Sequence, residues 1–356
     1  MPKPSVCVKV PKNQGEKTIM LATKLGLADK SLVIQREEDN LVIPLVREPV
    51  GIELATLKSQ IPQFVLYIAV FSEKALPPET LTQVLRDKLP NDLLVSVPQA
   101  FDIIGDIVVI DIPLKLKLYG NLIGEAILQT QKNVKTVLAK AGDISGIFRV
   151  RDYTFIAGKQ KTQTIHREFG CTYHVDIAKA YFSPRLSHEH ERVAALVETG
   201  EVVADLFAGV GPFSVLIGKK CSEVKVYAVD LNPDAVELLK VNVQINKVDG
   251  HVFPICTDAR EIAKGKLKGT VDRVIMNLPE TAIDFIDVAC NAIKPKGGVV
   301  HFYGFVRSPD TIENLQHRFT VEVERNGRKV KAFLLARSIR ETAPFESQIV
   351  LDVKIQ

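Results

Sequence analysis

The sequence predicts an α/β protein whose C-terminal half is a doubly wound parallel sheet, preceded by two smaller α+β domains. Two observations predict it. From Val202 onward, five apolar runs alternate with amphipathic stretches, the pattern of strands joined by crossover helices. The runs are continuous, as expected for strands covered on both faces. Between the first run and its helix lies "DLFAGVGPFS" (205–214), where the absence of a Cβ at Gly209 and Gly211 lets the backbone bend close to a ligand.

Taken in order, the first region to about Gln60 joins a helix-like "GEKTIMLATKLGLADK" to the short apolar runs "LVIQ" and "LVIPLV" across the polar turn "REEDN". This reads as a small α+β domain, residues 1–60. After "KSQIP" come an apolar strand "FVLYIAVF", a helical "PPETLTQVLRDKLP", and "FDIIGDIVVIDIP", in which turns interrupt β-branched runs. "NLIGEAILQTQKNVKTVLAKAG" has helical spacing throughout, and "IFRVRDYTFIAGKQKTQTIHREFG" alternates like a pair of strands. Together they define a middle α+β domain, residues 61–170. Its end is basic, with Arg149, Arg151, Lys159, Lys161, His166 and Arg167 among few acids, and either a solvated sheet face or a phosphate-facing surface fits that composition.

Residues 171–356 carry the repeated strand and helix. "EVVADLFAG" leads to Asp205, "VKVYAVDLN" to Asp230, "HVFPICTD" to Asp258 and "VDRVIMNLPE" to Asn277, with "GGVVHFYGFV" as the fifth strand. Asn232 followed by Pro233 is a helix start. The polar residues therefore fall at the carboxyl ends of successive strands, the edge where doubly wound sheets bind ligands. One site collects Asp205, Phe207, Gly209, Gly211, Asp230, Leu231, Asp258, Ala259, Asn277 and Pro279.

Composition narrows the class. The 356 residues are 46% hydrophobic and 25% charged. No run approaches the roughly 20 apolar residues that span a bilayer, and the start lacks a basic stretch leading into a long apolar core, so a cytoplasmic protein is expected. The cysteines are scattered without metal or redox spacing, which predicts free thiols and no metal site. A net charge of +4 permits a nucleic-acid partner without demanding one.

The ligand follows from what the glycine turn lacks. A dinucleotide fingerprint needs a third glycine where the helix packs, and "GVGPFS" has Pro212 and Phe213 after its second. S-adenosylmethionine fits better. Asp230 stands one βαβ unit past the turn, the place from which a carboxylate takes ribose hydroxyls. "KAFLLARSIRETAPFESQIVLDVKIQ" reads as two strands around a long polar connection, the closing hairpin of a class I (Rossmann-like) S-adenosylmethionine-dependent methyltransferase domain.

Five motifs then carry a resemblance along essentially the whole chain: "FRVRDY" (148–153), "YFSPRLSHEHERV" (181–193), "DLFAGVGPFS", "VDLNPDA" (229–235) and "NLPE" (277–280). With them the sequence resembles the archaeal and eukaryotic Trm5-type tRNA (guanine37-N1)-methyltransferases. The resemblance implies an N-terminal domain that reads the tRNA elbow, a middle domain on the RNA, and a monomeric enzyme methylating N1 of guanosine 37. Some archaeal members also methylate a wyosine intermediate at that nucleotide, and the residues leave both substrates open.

Methylation at guanine N1 requires a base for the N1 proton and a cation for the charge growing on O6. The resemblance assigns the first to Glu189 and the second to Arg149, with Tyr181 and Asn277 orienting base and donor. "NLPE" departs from the "NPPY"-like motif of exocyclic amine methyltransferases, with Leu278 for the first proline and Glu280 for the aromatic, which favours a ring nitrogen. A non-catalytic tRNA-binding protein and a dinucleotide-dependent oxidoreductase are the alternatives. The first gives the motif carboxylate no task, and the second lacks its third glycine.

Overall fold

Apolar runs pair into four sheets in the computed structural model, which describes residues 2–74, 80–142, 146 and 148–356. The chain divides into two compact units, 1–78 and 79–356.

In the first unit, β1 (Lys3–Pro11) runs directly into α1 (Lys12–Lys24). β2 (Gln35–Glu37) and β3 (Asn40–Pro44) form the hairpin over "REEDN", and α2 (Ile52–Gln60) precedes β4 (Val65–Phe71). The sheet order is β2-β3-β1-β4. β4 is thus not the first strand of a middle domain. It pairs antiparallel with β1 from Lys3 opposite Phe71 to Lys9 opposite Val65, so the boundary expected at residue 60 lies beyond β4. Helical spacing seats Thr18, Leu21 and Ala22 of α1 in the buried interior.

The second unit opens with α3 (Leu81–Leu85), capped by Thr80, and α4 (Asn91–Leu94); the residues 77–79 of the expected helix lie outside the described residues. β5 (Asp102–Ile104), β6 (Ile107–Ile110), α5 (Gly120–Thr130), β7 (Thr136–Lys140) and β8 (Tyr153–Gly158) follow, with sheet order β5-β6-β7-β8. The stretch expected as one helix therefore divides, because "TVLA" is β-branched and apolar and its four residues are buried between neighbours. β9 (Gln163–Glu168) pairs with β10 (Cys171–Asp176) and not with β8. A domain boundary at residue 170 would cut that hairpin in its turn.

α6 (Ser187–Leu196) leads to the large sheet: β11 (Val202–Asp205), α7 (Pro212–Lys220), β12 (Lys225–Asp230), α8 (Pro233–Ile245), β13 (Val252–Cys256), α9 (Ala259–Lys264), β14 (Arg273–Met276), α10 (Ile286–Ala292), β15 (Gly298–Arg307), α11 (Ile312–Arg325), β16 (Val330–Ala343) and β17 (Glu346–Ile355). Its order is β13-β12-β11-β14-β15-β17-β16, with β17 antiparallel to β15. The last two strands are far longer than expected, and only residues 344 and 345 join them.

Two details fix the unit. Asn242 of α8 and Asn246, which caps its C-terminus, are buried and accept from the His174 and Thr172 amides, at 2.7 and 2.9 Å, which ties the β9–β10 hairpin to the helix layer. Ile104, Ile107, Val109 and Leu138 of the middle sheet pack in the same cluster as Tyr173, Phe213 and Tyr303, so middle and C-terminal parts share one core.

Candidate active site

The carboxyl ends of β11, β12 and β14 open onto a cavity of about 390 Å³, closed on the other side by residues 148–153 and the start of α6. Phe207, Gly209, Asp230, Leu231, Asp258, Ala259, Asn277 and Pro279 all line it. Gly209 is left-handed (φ 55), and its amide donates to Asp230 Oδ2 at 2.7 Å. Asp230 Oδ1 accepts from the Asn232 amide at 2.9 Å. Each oxygen keeps a lone pair, so the carboxylate suits a pair of hydroxyls. Burial raises the Asp230 pKa against these amides.

Asp258 caps α9 through Oδ1 and the Arg260 amide at 2.7 Å; no described residue bonds its other oxygen. Phe207 meets Phe285 edge to face at 5.1 Å, and the Arg260 guanidinium lies 3.8 Å over Phe285. Asn277 follows the end of β14, and its Oδ1 is buried without a partner. A buried amide oxygen left so costs about 1–3 kcal/mol unless a ligand donates to it.

Asp205 and Gly211 are not in the cavity wall, which corrects the sequence expectation. Asp205 is fully buried beneath the turn, where Ser214 Oγ donates to it at 2.7 Å. Burial, helped by nearby Asp230, pushes its carboxyl up to about 7. Gly211 has φ 90 and caps α7, and a Cβ there would lie 2.3 Å from Leu239 Cδ1. Its freedom lets helix α7 close on α8. Both residues shape the turn from behind.

The opposite wall holds Arg149 and Tyr181. Arg149 has a left-handed backbone (φ 54), unusual for a side-chain-bearing residue, and Nη1 and Nη2 donate to Glu280 Oε2 and Oε1, each at 2.6 Å. These hydrogen bonds hold the Glu280 pKa below its ordinary value. Nearby, Arg185 Nε donates to Asp102 at 2.5 Å. Tyr181 is exposed to the cavity.

Glu189 is not brought to the cavity, although Leu186 and His190 on either side of it are. Its carboxylate is buried and turned to the other face of α6, where Arg192 and the Tyr303 hydroxyl (3.1 Å) donate to Oε2 and Arg337 donates to Oε1. Spacing explains this, since Arg192 stands one turn along the same helix. Beyond it a buried chain continues: Arg192 to Asp352 at 2.5 Å, Asp352 to His301 at 2.6 Å, His301 to Arg273 at 2.8 Å. Burial would raise the Asp352 carboxyl, but His301 and Arg192 outweigh it and hold it at about 2. His190, in the cavity wall, bonds Glu168 at 2.7 Å.

Of the basic stretch, Lys159 and Arg167 are exposed and Arg151 lines the cavity. Lys161 is partly exposed but already paired. Its ammonium is held by both Asp106 oxygens, at 2.6 and 2.8 Å. All five cysteines are free, and no group of three metal-ligating side chains occurs among the described residues. Nor is any helix among them long and apolar enough to cross a membrane. The pairing of Glu280 with Arg149 and of Arg185 with Asp102 escaped sequence reading, since 131 and 83 residues separate the partners.

A parallel sheet of this order with an antiparallel strand between its last two members, the carboxylate of Asp230 at the second strand and the unpartnered Asn277 amide at the fourth, define a class I S-adenosylmethionine-dependent methyltransferase. Residues 164–331 match the TRM5/TYW2 methyltransferase domain, residues 81–162 the TYW2 N-terminal domain, and residues 7–53 the tRNA methyltransferase 5 N-terminal domain. The chain belongs to the Trm5 family. It is 38% identical to the tRNA (guanine(37)-N(1))-methyltransferase Trm5b of Pyrococcus abyssi, over 99% of each chain, and the crystal structure of that protein superposes with a TM-score of 0.75. A complex of aTrm5 with tRNALeu, 32% identical and covering 99% of this chain and 100% of its own, gives 0.71. The tRNA 4-demethylwyosine(37)-methyltransferase Taw21 of Saccharolobus solfataricus is 34% identical over 71% of this chain and 92% of its own.

Proposed function

We propose that this protein transfers a methyl group from S-adenosylmethionine to N1 of guanosine 37 in the tRNA anticodon loop. The observation that carries this reading is one cavity that sets the cofactor-type edge, with Asp230 and the unpartnered Asn277 amide, opposite the Arg149 guanidinium. The full-length match to Trm5b, against 71% of the chain for Taw21, favours guanosine over the wyosine intermediate.

S-adenosylmethionine supplies an electrophilic methyl on a sulfonium. Asp230 holds its ribose, Asp258 takes a donor from the adenine, and Phe207, Leu231 and Ala259 supply apolar walls. Arg149 donates to guanine O6, where charge develops as the N1 proton leaves, and a fixed cation there favours the transition state. Tyr181 and Pro279 orient the base. Glu189, buried on the far face of α6 in the free protein, takes the proton once tRNA binding frees its carboxylate from Arg337, its most exposed partner, and from Arg192, and turns it toward the cavity. The N-terminal unit reads the tRNA elbow, and one chain, in the cytoplasm, does the whole reaction, since both walls come from the same unit.

Labelled methyl transfer to two tRNA transcripts, with guanosine or adenosine at position 37, tests the reading. Label should appear only with guanosine, as 1-methylguanosine at that nucleotide. Transfer to another nucleotide, or none, contradicts it.

A further inference from the structure

Glu280 occupies the motif position where exocyclic amine methyltransferases carry an aromatic ring, and the methyl transfer gives it no task. It nevertheless stands in the cavity wall, anchored by Pro279 to the end of β14, and it grips the guanidinium assigned to O6. The side chains of Glu280 and Arg149 are 52% and 21% exposed, so the carboxylate moves at little packing cost.

Guanine presents, along one edge, an acceptor at O6, a donor at N1 and a two-proton donor at its 2-amino group. Its complement is a protein donor beside a protein acceptor. Arg149 and Glu280 are such a pair, and in the free protein they bond each other. Resting on the guanosine reading above, we propose that Glu280 accepts from the 2-amino group of the target guanine while Arg149 donates to O6. The two bonds between them exchange for two bonds to the base, which parts the side chains and leaves N1 between them, facing Asn277 and Pro279. Glu280 is a carboxylate at neutral pH, so it enters the exchange as an acceptor. Adenine would offer an amine to Arg149 and a C–H to Glu280, leaving both charges unpaired, a mismatch that sites of this kind reject strongly.

The test compares kcat/KM for two transcripts that differ only in guanosine or inosine at position 37, since inosine lacks the 2-amino group alone. Wild type should prefer guanosine by about 10- to 100-fold, the worth of a hydrogen bond to a charged group. Glu280→Ala should lose that factor on guanosine and almost nothing on inosine, so its preference collapses to about 1. Glu280→Gln, whose amide oxygen still accepts, should keep part of it. Each ratio is taken on one preparation and does not depend on how much of it is folded. A wild type without preference, or a Glu280→Ala variant that keeps it, overturns the role of Glu280. A wild type inert on both transcripts overturns instead the reading on which it rests.

Discussion

The two walls of the cavity differ in what they leave open. On the cofactor wall, Asp230 and Asp258 keep acceptor capacity and Asn277 Oδ1 has no partner at all. On the nucleotide wall three charged groups are already paired within the protein, Arg149 with Glu280, Arg185 with Asp102, and Glu189, behind it, with Arg192, Arg337 and Tyr303. The free protein is built to receive a cofactor, whereas Arg149 and Arg185 of the nucleotide wall are held by its own carboxylates. Binding of tRNA must therefore exchange partners, whereas cofactor binding only adds them.

The strongest way to break this contrast is Glu189→Gln. Removing a general base costs about 10²- to 10⁴-fold, so single-turnover transfer should fall by that much while calorimetry shows unchanged cofactor affinity. A near wild-type rate would mean that the proton leaves by another route.

Asp205 probes the foundation of the cofactor wall. Its carboxyl, raised to about 7, retains a proton in the folded state that the unfolded chain releases near pH 4. Stability from this residue is therefore greatest at low pH and declines as pH climbs from about 4 to about 7, by roughly 2–4 kcal/mol. The melting temperature of wild type relative to Asp205→Asn should fall across that window and level off above it. A difference independent of pH would remove the buried acid from the account.

A smaller effect is expected at the wall itself, where Asp230→Ala should weaken S-adenosylmethionine binding by about 1–3 kcal/mol, read by calorimetry. Unchanged affinity would exclude Asp230 from the site. Smaller still is the salt response of tRNA binding: Lys159→Ala and Arg167→Ala should each lower the slope of log K against log salt by about 1, and Lys161→Ala by less, because Asp106 already neutralises it. Equal slopes for all three would show that the ion pair does not hold in solution.

The same contrast decides what the sequence could show. Strand ends are local, so Asp230, Asp258 and Asn277 could be placed at one edge from periodicity and a turn. Whether a residue at that edge faces the ligand or supports the turn depends on tertiary packing, and Asp205 and Gly211 proved to be supports. The apolar run of β4 reads as the start of the middle domain because an apolar strand carries no mark of its partner, and pairing with β1 places it in the first unit. Glu189 was legible as a motif residue, but its direction is set by Arg337 and Tyr303, more than 100 residues away in sequence.

On the proposed reading Arg149 acts on the nucleotide alone, from a wall that cofactor binding leaves untouched. Single-turnover transfer by Arg149→Ala, at saturating cofactor and tRNA, tests it most directly. The rate of 1-methylguanosine formation should fall by about 10²- to 10³-fold, the usual cost of removing one oxyanion donor, at a cofactor affinity within about 2-fold of wild type. A wild-type rate, or a loss that excess cofactor restores, would contradict it.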